Sequence, residues 1–145
     1  MKDIVISCDH AGFELKERIK QELSYQGLDV TDVGPANADR VDYPDMIHPL
    51  AKGVNDGLYR RGIIICGSGN GVAMTANKYP NVRAAICWNN EIASLARLHN
   101  DANIISLPAR FISDVEALKC VDIFLHEKFE GGRHADRVNK IAIGG

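Results

Sequence analysis

The sequence predicts an α/β fold, a Rossmann-like three-layer sandwich around a five-stranded parallel sheet. Two observations lead there. Short apolar runs rich in β-branched residues recur along the 145 residues, as strands buried on both faces do. Between them lie segments with apolar residues at helical spacing, and this alternation persists over the whole length, the pattern of helices crossing between parallel strands. The right-handed crossover rule then favours a doubly wound sandwich. With no internal repeat, linker or low-complexity stretch, residues 1–145 are expected to form a single domain.

The elements follow in order. Ile4 to Cys8 is a β-branched strand. Phe13 to Gln26 carries Leu15, Ile19 and Leu23 between charged residues, one face of an amphipathic helix, and Gly27 ends it. Leu28 to Val33 is a second strand, followed by a loop through Gly34-Pro35. Asp42-Tyr43-Pro44 opens a helix with proline in its first turn, and Pro49 is a candidate kink. Gly62 to Cys66 is the clearest strand of all. A glycine loop and a short helix to about Lys78 come next, then a strand from Val82 to Cys87. Asn89 or Asn90 caps a helix carrying Ile92, Leu95, Ala96 and Leu98. Ala102 to Leu107 is the fifth strand, Ser113 caps a helix from Asp114 to about Leu125, and residues 131–141 read as a last helix.

Composition narrows the function. Hydrophobic residues make up 46% and charged residues 25%, so disorder is not expected. The net charge is −2 and no segment is strongly basic, which speaks against nucleic acid as a partner. No apolar run approaches the ~18 residues of a membrane span, and the short acidic N-terminus does not resemble a signal peptide, so a cytoplasmic location is the expectation. Cys8, Cys66, Cys87 and Cys120 form no C-x-x-C pair and are expected as free thiols. His10, His48, His99, His126 and His134 show no H-x-x-x-H spacing, so no metal site is expected.

In open parallel sheets ligands bind beyond the carboxyl ends of the strands. That rule singles out several segments. Cys8-Asp9-His10-Ala11-Gly12 places a carboxylate beside an imidazole, suited to proton transfer or to binding a hydroxyl and a phosphate; a helix-capping Asp9 is the plainer alternative. Cys66-Gly67-Ser68-Gly69-Asn70-Gly71 has three alternate glycines before a helix, so backbone N–H groups can close on an anion. It lacks the Gly-Lys-Ser/Thr of a P-loop. It is also a poor nicotinamide fingerprint, because the next strand ends at Cys87-Trp88-Asn89-Asn90 without an acid. Cys66 at the mouth of this loop is a base or nucleophile, or else a core residue. His99-Asn100-Asp101 is the weakest constellation, because His99 falls at the end of its helix remote from the strand-end edge. Arg133 and Arg137 share a helix face and with Arg110 could grip a phosphate, or could simply be solvated.

Taken together, Cys8 to Gly12, Asp42-Tyr43-Pro44, Cys66 to Gly71, Ala76-Asn77-Lys78, His99-Asn100-Asp101 and Gly131-Gly132-Arg133-His134 resemble the type B ribose-5-phosphate isomerases, a family that also holds galactose-6-phosphate isomerase subunits. The resemblance spans nearly the whole chain. It implies interconversion of ribose 5-phosphate and ribulose 5-phosphate in the pentose phosphate pathway, without metal or organic cofactor. It implies Cys66 as the base, His99 as ring-opening acid together with Asp9, and an enediolate held by the backbone of Gly67, Ser68, Gly69, Asn70 and Gly71 with Asn100. Ser68 would bond a substrate oxygen, Asp42 and Tyr43 would line the sugar pocket, and His10, Arg110, Arg133 and Arg137 would bind the phosphate. The family forms dimers or larger assemblies of dimers with sites at subunit interfaces, so a homodimer with the 131–141 helix against its partner is expected.

Two departures stand out. Ser68 occupies a position where some members carry Thr, and Val72-Ala73-Met74 offers no carboxylate, which places this chain with the cysteine-base members. Six-carbon phosphate isomerisation, a non-catalytic sugar-phosphate sensor and a flavodoxin-like nucleotide binder are the alternatives.

Overall fold

The computed structural model describes residues 1–144. Five strands form one parallel sheet: β1 Lys2–Cys8, β2 Val30–Asp32, β3 Tyr59–Cys66, β4 Ala84–Ile86 and β5 Ile104–Pro108. Six helices accompany them: α1 Phe13–Tyr25, α2 Tyr43–Asn55, α3 Asn70–Ala76, α4 Asn90–Leu98, α5 Asp114–His126 and α6 Arg133–Asn139. A short 3₁₀ turn, His10–Gly12, joins β1 to α1. The expected fold class and every expected element are present. β3 starts earlier than its apolar run, because Tyr59 and Arg61 pair with Lys2 and Ile4. β2 and β4 are shorter than expected, three residues each at the two edges of the sheet. Short edge strands leave little unpaired backbone to recruit another chain. On β4, Asn77 covers what remains: its side chain donates to the Ala84 carbonyl at 3.0 Å and accepts the Ala84 N–H at 2.8 Å. Pro49 lies inside α2 without ending it.

The strand order is β2-β1-β3-β5-β4. β1 steps outward to β2, and the chain then crosses to β3 on the other side. The direction of winding therefore reverses between β1 and β3, and a crevice opens above such a switch point. Successive strand residues face opposite ways. Ile4, Ile6, Ile63, Ile65, Ile105 and Leu107 pack against α1, α4 and α5 through Ile19, Ala93 and Phe124. Val5, Ile64, Cys66 and Ile104 pack on the other face against Ile47 and Leu50 of α2 and Val72 of α3. Right-handed crossovers demand this division of the helices. Cys8 thus faces the α1 layer, and Cys66 faces α2 and α3.

Candidate functional site

The switch point gathers the first group of expected residues. Asp9 follows β1 and caps the 3₁₀ turn, its Oδ1 accepting the N–H groups of Ala11 at 2.9 Å and Gly12 at 3.2 Å. The capping alternative is therefore realised, and it holds the carboxylate rigid at the strand end. His10 follows, its Nδ1 accepting the Val41 N–H at 3.4 Å. Asp9 and His10, with Arg40, Asp42 and Tyr43, line a cleft of about 580 Å³. Asp42 precedes α2 and makes no capping hydrogen bond with its side chain, so its carboxylate is free toward this cleft.

The glycine loop stands beside it. Cys66 is the last residue of β3, and its Sγ accepts the Gly69 N–H at 3.2 Å. The sulfur is less open than a residue at the mouth of a loop would be: Cys66 is 6% exposed, because the loop folds back over it. Its three counterparts, Cys8, Cys87 and Cys120, are fully buried. Gly69 has φ +78°, a left-handed conformation that glycine adopts without strain. A Cβ there would come within 3.2 Å of the Ser106 hydroxyl, which donates to the Gly69 carbonyl at 2.7 Å and pins the peptide. Ser68 accepts the Asn70 N–H at 3.2 Å and keeps its own O–H proton to donate. Two of the loop amides expected to face an anion, those of Gly69 and Asn70, are thus engaged inside the loop. The Gly71 amide lies in the first turn of α3, where helix geometry supplies no partner. The Tyr43 ring presses on Gly71, 2.6 Å from where a Cβ would stand, so any side chain there would displace it. Arg110 lies across Gly67, its guanidinium 3.1 Å from the corresponding point.

The second group stands elsewhere. α4 starts at the strand-end edge and runs back, so His99, its C-cap, reaches the opposite edge where β5 begins. The five residues of β5 alone separate the two edges by about 16 Å. Asn100, Arg133 and Arg137 belong to the same far pole. A single chain therefore does not unite His99, Asn100, Arg133 and Arg137 with Cys66, Asp9 and Ser68. Parallel strands put all their carboxyl ends on one side, and the helix after β4 must return before β5 can start.

At that far pole the chain is held firmly. Asp101 has φ +48° and is clamped by Arg97, which donates to Asp101 Oδ1 and the Ala102 carbonyl, each at 2.8 Å, and to the Glu127 carbonyl at 3.1 Å. Arg83 adds a bond to the Asp101 carbonyl at 2.9 Å. This clamp presents His99 and Asn100 outward. His99 stacks on His134, ring centroids 4.2 Å apart at an angle of 11°. Burial, then the neighbouring His99, push the His134 imidazole below its ordinary value, with Arg133 and Arg137 adding to this and Glu130 opposing it. Sequence reasoning missed Ser106, Arg97 and Glu130, which carry no motif. It named His134 within Gly131-Gly132-Arg133-His134 and among the histidines without metal-ligand spacing, but gave it no role of its own.

An open parallel sheet with a thiol, a carboxylate and a glycine loop at its switch point has the layout of a small-molecule α/β enzyme. Comparison with known proteins narrows the class. The model of the family described as Ribose/Galactose Isomerase matches residues 4–141. A probable ribose-5-phosphate isomerase B of Mycoplasma pneumoniae is 45% identical over 95% of this chain and 91% of its own length. The crystal structure of a ribose 5-phosphate isomerase of Thermotoga maritima superposes with a TM-score of 0.95 at 42% identity, covering 98% of each chain. The structure of ribose-5-phosphate isomerase B of Mycoplasma genitalium with bound ribulose-5-phosphate gives 0.92 at 43% identity, covering 96% of this chain and 93% of the other. The chain belongs to the ribose/galactose isomerase family.

Proposed function

We propose that this chain is an aldose–ketose isomerase interconverting D-ribose 5-phosphate and D-ribulose 5-phosphate through a cis-enediolate, with Cys66 as the base. Family membership supports the reaction. The observation that carries the assignment of the base is Cys66 at the end of β3, 6% exposed where Cys8, Cys87 and Cys120 are fully buried, its sulfur accepting a backbone N–H from its own glycine loop.

The chemistry divides into two parts. Opening the furanose ring needs an acid at the ring oxygen, the role of His99, and a group taking the anomeric hydroxyl proton, the role of Asp9. In the open aldose the Cys66 thiolate takes the proton from C2. The C–H electron pair becomes the C1=C2 bond and the carbonyl pair moves onto O1. The charge of the enediolate meets the Gly71 amide, the Ser68 hydroxyl and Asn100. Cys66 returns its proton to C1, and the proton of the C2 hydroxyl passes to O1, completing the ketose. His10, Arg110, Arg133 and Arg137 bind the phosphate, whose remote binding energy positions the reacting carbons. Asp42 and Tyr43 line the sugar.

The two poles lead to a second element of the proposal. His99, Asn100, Arg133 and Arg137 come from a second copy of the chain, so residues 1–145 form one isomerase domain whose C-terminal helix lies against its partner in a homodimer. Four free thiols fit a reducing compartment, and we place the protein in the cytoplasm. Among the described residues no helix is long and apolar enough to cross a membrane.

The test is turnover of ribose 5-phosphate with exchange of the C2 proton in deuterated solvent. Cys66→Ala is expected to lower kcat by roughly 10²–10⁴-fold, the usual contribution of a general base. Activity within tenfold of the unsubstituted protein would remove Cys66 from the role. Higher kcat/KM on allose or galactose 6-phosphate than on ribose 5-phosphate would replace the substrate, and absence of exchange would leave a sugar-phosphate sensor.

A further inference from the structure

His99 caps the C-terminus of α4, Glu130 lies in the segment before α6 and His134 in the first turn of α6, and each brings one ligand atom to a common point, all within 4.8 Å of one another. His134 Nε2 stands 3.7 Å from one Glu130 oxygen and His99 Nε2 4.0 Å from the other. The His134 side chain is 8% exposed, and its Nε2 has no hydrogen-bond partner. A buried imidazole nitrogen without a partner costs free energy unless something occupies it. Two imidazoles and a carboxylate are a donor set that zinc accepts, leaving a fourth position open.

We propose that His99, Glu130 and His134 form an inhibitory site for Zn²⁺ or a divalent ion of the same preference. The proposal rests on the functional reading above, in which His99 opens the sugar ring: an ion on Nε2 takes the lone pair that would otherwise carry the acid's proton. A tetrahedral ion with bonds of about 2.0–2.1 Å needs donors roughly 3.3 Å apart. The two carboxylate–imidazole separations, 3.7 and 4.0 Å, must close by about 0.4 and 0.7 Å, and the stacked rings must splay so that their nitrogens converge. His99 is 41% and Glu130 56% exposed, so both have room to turn while His134 stays fixed. Arg133 and Arg137 stand near His134 and repel a cation. The site is therefore weaker than a closed structural zinc site, as reversible inhibition requires.

The experiment titrates the full-length protein, stripped with EDTA, with Co²⁺. The expected result is one ion per chain, visible d–d bands, no thiolate charge-transfer band and displacement by Zn²⁺. Glu130→Gln, at an exposed position, and His134→Gln are each expected to weaken binding at least roughly tenfold, and Cys66→Ser to leave it unchanged. Binding unaffected by both of the first two variants, or lost in Cys66→Ser, overturns the site. In EDTA the Glu130→Gln protein is expected to match the unsubstituted protein on ribose 5-phosphate. Added Zn²⁺ then inhibits only the latter; equal inhibition of both overturns the inhibitory role. If the EDTA-treated unsubstituted protein shows no isomerisation, the functional reading fails, while the Co²⁺ titration still judges the site.

Discussion

Cys66 shares its chain with three other thiols, and burial sorts them. Desolvation pushes Cys8 and Cys87 up to about 12 and Cys120 up to about 11, so none of the three is ionised near neutral pH. The field of Lys16 pulls Cys8 the other way without overcoming burial. Thiolates are the reactive species. Limited iodoacetamide treatment of the folded protein is therefore expected to add one carbamidomethyl group, at Cys66, with loss of activity in proportion and protection by ribose 5-phosphate. Peptide mass spectrometry reads the position, and labelling spread evenly over the four cysteines would contradict it. The glycines after Cys66 distinguished it in the sequence, because alternate glycines before a helix have few other uses. The Gly69 N–H on its sulfur was not legible, since a φ of +78° and a hydroxyl from Ser106 in another strand decide where that amide points.

At the scale of elements, α1 shows where pattern reading falls short. Leu15, Ile19 and Leu23 are buried as their spacing predicts, but so is Lys16, at 1% exposure. Its ammonium meets Asp32 at the end of β2 and the Pro35 carbonyl at 3.2 Å, and Lys20 joins the same carboxylate at 2.8 Å. This network ties the edge strand and its following loop to α1. Periodicity scores lysine as an outer residue and cannot foresee a carboxylate arriving from a neighbouring strand. Asp32→Asn is expected to destabilise by about 2 kcal/mol, below the ~3–5 of a broken fully buried pair, because the Pro35 carbonyl still faces the ammonium. For a chain of this length that lowers Tm by roughly 4–8 °C. Burial raises the Asp32 carboxyl, but hydrogen bonds from Lys16, Lys20 and the Gly34 amide outweigh it and hold the group below its ordinary value. Its stabilisation is thus present above the ordinary carboxylate range and disappears as pH falls through the lowered value. Chemical denaturation from pH 7 to 3 checks this: the difference between unsubstituted protein and Asp32→Asn should shrink toward the acid end.

For the molecule as a whole, the two poles dictate a complementation experiment. If each site takes Cys66 from one copy and His99 from the other, Cys66→Ala and His99→Asn proteins are both inactive alone. Mixed dimers then contain one intact site and one doubly damaged site. Random reassortment after reversible dissociation makes half the dimers mixed, so about a quarter of full activity returns. No recovery, with exchange verified by mass, would mean that each site is built within one chain. The remoteness of His99 from the strand-end edge was already readable from chain direction, because a helix following one parallel strand must return before the next. Sheet order was not: β5 inserts between β3 and β4, a choice made by the packing of whole helical layers. Family membership, by contrast, followed from several short motifs spread over the chain.

The sequence by itself determined the kind of each element, the core-facing side of most of them, and which loops flank the ligand edge. These depend on residue spacing, and spacing is a local property that burial imposes on every strand and helix. Only the tertiary structure decided that Asp9 spends one oxygen on a cap, that Lys16 is buried with Asp32, and that His99 lies on His134 beside Glu130. Those meetings join residues distant in sequence, and they exist only once crossovers and sheet order have brought separate segments to the same place.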